Sequence, residues 1–150
     1  MADADLIKLY SGRILELAAS MPATAPLDAP QATVRRRSPL CGSTVTVSLD
    51  MEGGRIARYA QDVKACALGQ ASASVSGRVM VGRSRAEVAA ARDGLRAMLA
   101  GGPVPGAPWD GLEVLTPARD YRNRHASILL ALEATLEAID AAEGRRLTGG

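Results

Sequence analysis

Cys41, in Ser38-Pro39-Leu40-Cys41-Gly42-Ser43, Cys66, in Val63-Lys64-Ala65-Cys66-Ala67-Leu68-Gly69, and His125 are the side chains of this sequence best suited to hold a metal or handle sulfur. The 150-residue chain has no other cysteine or histidine. Thiolate and imidazole are the donors used by zinc and iron–sulfur centres, so a small metal or sulfur site is the chemistry they offer. Spacing alone leaves a plainer reading open. No CxxC pair is present, cysteine often serves as a small buried hydrophobe, and a single histidine often only caps a helix. A Cys41–Cys66 redox pair is a further alternative, which a free-thiol count would test.

The elements that must position these residues follow from hydrophobic periodicity. Leu6, Ile7, Tyr10, Ile14 and Leu17 recur at helical spacing and predict a first helix of about four turns. Pro22, Pro26 and Pro30 end it and predict an extended connector over 21–30. Thr44-Val45-Thr46-Val47-Ser48-Leu49 alternates with period two, Glu52-Gly53-Gly54 supplies a hairpin turn, and Arg55 to Val63 returns as the partner strand. With Ala32–Arg37 as a third strand, a small antiparallel sheet is expected. The small residues after Cys66 suit a helix pressed on neighbouring backbone. Cys66 stands at its N-terminus, where the helix dipole and free amides favour a thiolate.

Ser84-Arg85-Ala86-Glu87 has the form of a capping box opening a helix with Val88, Leu95 and Leu99 on one face. Gly101-Gly102-Pro103 ends that helix, and the stretch to Gly111 reads as a surface loop. Ile128, Leu129, Leu132, Leu136 and Ile139 mark a last helix, with Glu133, Glu137 and Asp140 turned outward. Asn123 is its expected cap, His125 its start and Gly144 its end. All three candidate residues therefore lie at the ends of elements, where sites tend to assemble. The fold class expected is α+β, a three-stranded antiparallel sheet packed on four to five helices, as one domain over 1–143 with a frayed tail over 144–150.

Composition narrows the function classes. At 47% hydrophobic the chain can bury a core, and with 3% aromatic residues and no Phe that core is built from Ala, Val, Leu and Ile. A net charge of +2 gives no nucleic-acid footprint. Arg35-Arg36-Arg37 is the one basic run, read as a charged edge strand or as a docking point for an acidic partner. No apolar run is long enough to span a bilayer. The acidic start Met1–Asp5 lacks the form of a secretory signal, so a cytoplasmic location is expected, where free thiols are ligands or nucleophiles more often than disulfides. No Ser–His–Asp spacing and no phosphate-binding glycine loop is present, so hydrolase chemistry is not expected and no catalytic residues are assigned.

Taken in order, Ser38-Pro39-Leu40-Cys41-Gly42, a strand pair, the helix start Cys66-Ala67-Leu68-Gly69-Gln70-Ala71-Ser72-Ala73-Ser74, and Val81-Gly82-Arg83-Ser84 before a capped helix resemble the U-type iron–sulfur cluster assembly scaffolds. These include the N-terminal domain of the nitrogen-fixation scaffold and the sulfur-mobilisation type. The resemblance covers about residues 4–141. It implies a cytoplasmic α+β domain that receives sulfur from a cysteine desulfurase, assembles iron into a [2Fe–2S] cluster and passes it to apo iron–sulfur proteins, with zinc as a possible occupant of the same site.

By that resemblance Cys41 and Cys66 correspond to the first two family cysteines. The family's Asp two positions after the first is Ser43 here. Where the family has His-Cys-Ser or Lys-Cys-Ala, this chain has His125-Ala126-Ser127, so the third cysteine is absent. The family's Pro- and Val-rich chaperone-recognition motif is replaced by Thr116-Pro117-Ala118-Arg119. The expected ligand set is Cys41, Cys66 and His125, completed by Ser43, Asp120, a partner or a small thiol. Two other readings carry different expectations: a zinc-dependent sulfur acceptor, and a metal-free adaptor homologue.

Overall fold

The computed structural model describes residues 11–39 and 41–144. In chain order the elements are α1 (Gly12–Ala19), β1 (Ala32–Arg37), β2 (Thr44–Glu52), β3 (Arg55–Lys64), α2 (Ala67–Arg78), α3 (Arg85–Leu99), a 3-10 segment (Asp110–Asp120) and α4 (Arg122–Glu143). The three strands form one antiparallel sheet in the order β1-β2-β3. The expected α+β class is the one observed.

The hairpin forms where the glycines require it. Gly53 and Gly54 have φ of 60° and 77°, the pair of positive values that a two-residue turn between right-twisted strands needs. Val45, Val47 and Leu49 of β2 are buried, while Thr44, Thr46 and Ser48 face the other side of the sheet. The register places Thr44 opposite both Arg37 of β1 and Lys64 of β3. That row closes the end of the sheet from which the Cys41 loop and the Cys66 turn leave.

Helix α4 is the hub of the domain. It packs on β1, β2, α2 and α3, so apolar side chains cover most of its circumference and Ile128 through Leu132 are all buried. The acidic residues expected to point outward are half-buried and each meets an arginine of a neighbouring element. Glu133 pairs with Arg96 at 3.2 Å, Glu137 with Arg36 at 3.0 Å, and Asp140 with Arg85 through two bonds of 2.6 and 3.1 Å. Arg36, the middle of the basic run, is thereby tied to the hub helix.

Several expectations need revision. Ile14 and Leu17 are buried in α1, which Ser11 caps by accepting the Ile14 N–H, while Leu6, Ile7 and Tyr10 lie outside the described residues, as does the tail beyond Gly144. The connector over 21–30 bends across the sheet, with Ala23 and Ala29 at φ of 58° and 47°. It is held there because the Gln61 N–H donates to the Ala23 carbonyl at 2.8 Å. The stretch past Gly111 is a 3-10 segment containing Pro117. It was hidden from periodicity by its three-residue turn and its proline. Asn123 does not cap α4: the helix begins at Arg122, with Tyr121 at the cap position and no side-chain cap bond. The predicted capping box at Ser84 and Glu87 and the left-handed Gly144 terminator are both present.

Gln61 is buried and binds three parts of the molecule together. Its amide donates to the Ala73 carbonyl of α2 at 3.0 Å and to the Pro22 carbonyl at 3.3 Å, and its oxygen accepts from the Tyr59 hydroxyl at 3.0 Å. The Tyr59 hydroxyl also lies 3.1 Å from that of Thr135 in α4. Gln61→Ala should lower the unfolding free energy by about 2 kcal/mol, because it removes several buried hydrogen bonds at once. Urea denaturation with an unchanged slope would show it.

Candidate metal centre

The two cysteines meet at one end of the sheet. Cys41 sits in a tight loop between β1 and β2, closed by the Gly42 N–H donating to the Ser38 carbonyl at 2.9 Å and the Ser38 N–H donating to the Ser43 carbonyl at 2.8 Å. Cys66 occupies the N-cap position of α2, with extended backbone and no side-chain cap bond. Neither forms a disulfide; Cys41 is exposed and Cys66 half-buried.

Hydroxyl groups join the thiols. The Cys41 Sγ lies 3.4 Å from Ser38 Oγ and 3.1 Å from Ser43 Oγ. Ser43 Oγ lies 3.0 Å from Ser127 Oγ, which in turn is 3.7 Å from Cys66 Sγ. Ser38, Ser43 and Ser127 are 1%, 5% and 2% exposed, whereas the sulfurs sit toward the surface. A floor of buried hydroxyls thus lies beneath two accessible thiols. Ser127 was not singled out as a site residue by sequence reasoning. Its place two residues after His125, on the first turns of the last helix, was the available signal.

Those hydroxyls set the charge state of Cys41. Hydrogen bonding from Ser38 first and Ser43 second, with smaller help from Ser127, outweighs the opposing effect of burial and holds the Cys41 thiol down from its usual value near 9 to about 7. The lowered thiol is the one on the loop between β1 and β2.

His125 faces elsewhere. Its Nε2 is 2.9 Å from the Ala118 carbonyl, and because a carbonyl only accepts, that nitrogen carries the proton. The ring lines a cavity of about 380 Å³ with Leu99, Ala100, Gly101, Arg119 and Asp120. The reason is helical geometry: residues two apart on a helix are rotated by about 200°, so Ser127 pointing at the thiols turns His125 away from them. The expected grouping of Cys41, Cys66 and His125 is therefore not formed. Among the described residues no three His, Cys, Asp or Glu side chains stand together as a metal site. Asp120, weighed as a fourth ligand, lines the His125 cavity instead. Ser43 does lie against Cys41.

The close approach of α2 to α4 is what brings Ser127 between the sulfurs, and Gly69 permits it. A Cβ at Gly69 would stand 2.5 Å from Ser127 Oγ, 3.1 Å from the Ser127 carbonyl oxygen and 2.9 Å from Ala65 Cβ. Gly69→Ala must push the two helices apart. It should lower stability by about 1–3 kcal/mol in urea denaturation and disperse the hydroxyl floor.

A second measurement reads the site directly. The alkylation rate of Cys41 by iodoacetamide, followed in Cys66→Ala, should rise with pH through a midpoint near 7. Ser38→Ala, which removes the largest stabilising hydrogen bond to the thiolate, should move that midpoint upward. A wild-type midpoint near 9 would refute the hydroxyl effect.

No protein-family model matches the chain, and no curated protein does. Solved structures do. The crystal structure of a nitrogen-fixing NifU-like protein (N-terminal) from Brucella abortus superposes with a TM-score of 0.89 at 42% identity, covering 94% of this chain and 99% of that one. A protein of the thermophile Fervidobacterium islandicum AW-1, assigned to the SUF system as an iron–sulfur cluster assembly scaffold, superposes with a TM-score of 0.80 at 18% identity. It covers 89% of this chain and 98% of its own, and at that identity the likeness is one of fold. Identity of 42% over nearly the full length of both chains places this protein in the NifU-like N-terminal family of U-type iron–sulfur cluster assembly scaffolds.

Proposed function

We propose that this protein is a non-enzymatic scaffold that carries an iron–sulfur cluster as cargo on Cys41 and Cys66 and passes it to apo-proteins, with sulfur supplied by a cysteine desulfurase. The observation that carries this reading is the convergence of the two thiols on the Ser127 hydroxyl, at the open end of a NifU-like fold.

The chemistry follows from the donors. Thiolate is the ligand iron–sulfur clusters take, and Cys41 is partly ionised at neutral pH. Hydroxyl groups beneath the sulfurs donate hydrogen bonds to them, which favours the anionic form and limits how much charge each sulfur gives to iron. The site is open: Cys41 is exposed and Cys66 half-buried. Exposure of the sulfur-bearing end suits a cargo that must be loaded and handed on. His125 donates from Nε2 to the Ala118 carbonyl, which leaves Nδ1 as its nitrogen free of a proton.

The test is iron, zinc and acid-labile sulfide per chain after anaerobic purification. Iron and sulfide in equal amounts are expected in the wild type and should fall at least about tenfold in Cys41→Ala and in Cys66→Ala, as loss of a ligand dictates. His125→Ala should retain both. Stoichiometric zinc without sulfide, or no metal at all, would overturn the reading.

A further inference from the structure

We propose that Arg37, with Lys64 beside it, makes the thiol-bearing end of the sheet a receiving site for small sulfur-bearing anions, so that the charge of a sulfur compound decides how readily Cys41 meets it. The inference rests on the scaffold reading and deepens it by naming the class of sulfur compound that the site admits.

The side of the sheet that carries Thr44, Thr46 and Ser48 shows where positive charge is left over. Side chains opposite one another in adjacent strands share a face. Asp50 of β2 stands opposite Arg58 of β3 and forms an ion pair with it. In the row of Thr46, Arg35 on one side is offset by Asp62 on the other. The last row, Arg37, Thr44 and Lys64, holds two cations and no acid. Both cations are exposed, and neither takes part in an ion pair among the described residues. The basic excess therefore sits where the Cys41 loop and the Cys66 turn leave the sheet.

Arg37 is directed at the thiol loop. A Cβ added at Gly42 would stand 3.7 Å from Arg37 Nη2, so the guanidinium lies against the residue that follows the exposed Cys41. The left-handed backbone there, φ 74°, calls for glycine. The hydroxyls of Ser38, Ser43 and Ser127 serve the sulfurs from the buried side, but as neutral groups they draw no anion from a distance. An unpaired guanidinium does: it stays charged, offers a planar fork of N–H donors, and raises the local concentration of anions in a salt-dependent way. Sulfide and thiolate, the forms in which sulfur ligates iron, are anions.

The experiment compares two aromatic disulfides of unlike charge, dithiobis-nitrobenzoate, a dianion, and neutral dithiodipyridine, on the metal-free full chain carrying Cys66→Ala. In both reactions the Cys41 thiolate attacks one sulfur, a mixed disulfide forms, and the other aryl group leaves as its thiolate; the thiol proton goes to solvent and the reagent is the only oxidant. The ratio of the anionic to the neutral rate cancels the ionised fraction of Cys41 and reads charge alone. Expected is a fall in that ratio of about threefold or more in Arg37→Gln, largely restored in Arg37→Lys, which keeps the charge. With Arg37 in place, the ratio should also fall as salt is raised from about 0.01 M to about 1 M, which shortens the Debye length from about 30 Å to about 3 Å. A ratio that neither Arg37→Gln nor salt moves would overturn the anion role, whatever iron and sulfide the purified chain holds. Absence of iron and sulfide would overturn the scaffold reading without moving the ratio, so the two failures are told apart.

Discussion

The contact of Gly69 with Ser127 is the constraint on which the site depends. Because residue 69 has no side chain, the first turn of α2 can lie against the first turns of α4 closely enough for the Ser127 hydroxyl to reach both the Ser43 hydroxyl and the Cys66 sulfur. Cys66 is fixed by its place at the start of α2, and Cys41 by the short loop closed between Ser38 and Ser43. Three segments distant in sequence are thereby held to one point. The buried apolar surface of α4 supplies the rigidity behind it, since that helix is packed by the sheet on one side and by α2 and α3 on the others.

The local chemistry departs from what three thiolates would give. Hydroxyls occupy the ground beneath the sulfurs, and they act on charge more than on metal: neutral donors that stabilise a thiolate without competing strongly for iron. Cys41 is thus ionisable near neutral pH while exposed. A site with few strong ligands and wide access binds less firmly than a closed four-thiolate cage, a property that suits a protein whose cargo must leave.

The basic end of the molecule adds a second feature. Arg37 and Lys64 are brought level by the strand register. Arg36, between Arg35 and Arg37 in the same run, is instead occupied by Glu137. Alternation along a strand divides one basic run into a structural residue and two that face the other side of the sheet.

Much of the fold was determined locally and so was legible in the sequence: the period-two strand Thr44–Leu49, the Gly53-Gly54 turn, the capping box at Ser84, the glycine terminator at Gly144, and Cys66 at a helix start. These depend on neighbours a few residues away, and the ordered cysteine motifs carried the family resemblance. What the sequence did not reveal depends on rotation and distance between elements. The packing of α4, with Ile128 through Leu132 buried, decided that Ser127, and not His125, would face the thiols. The 3-10 segment has no 3.6-residue period to detect, and its packing against α2 and α3 is a matter of shape. The lowered Cys41 thiol arises from hydroxyls at 38, 43 and 127; the last of these is brought to it only by the tertiary fold. Residue types and spacing determined which groups could act, and only the packing of α4 between the sheet and α2 decided which of them meet.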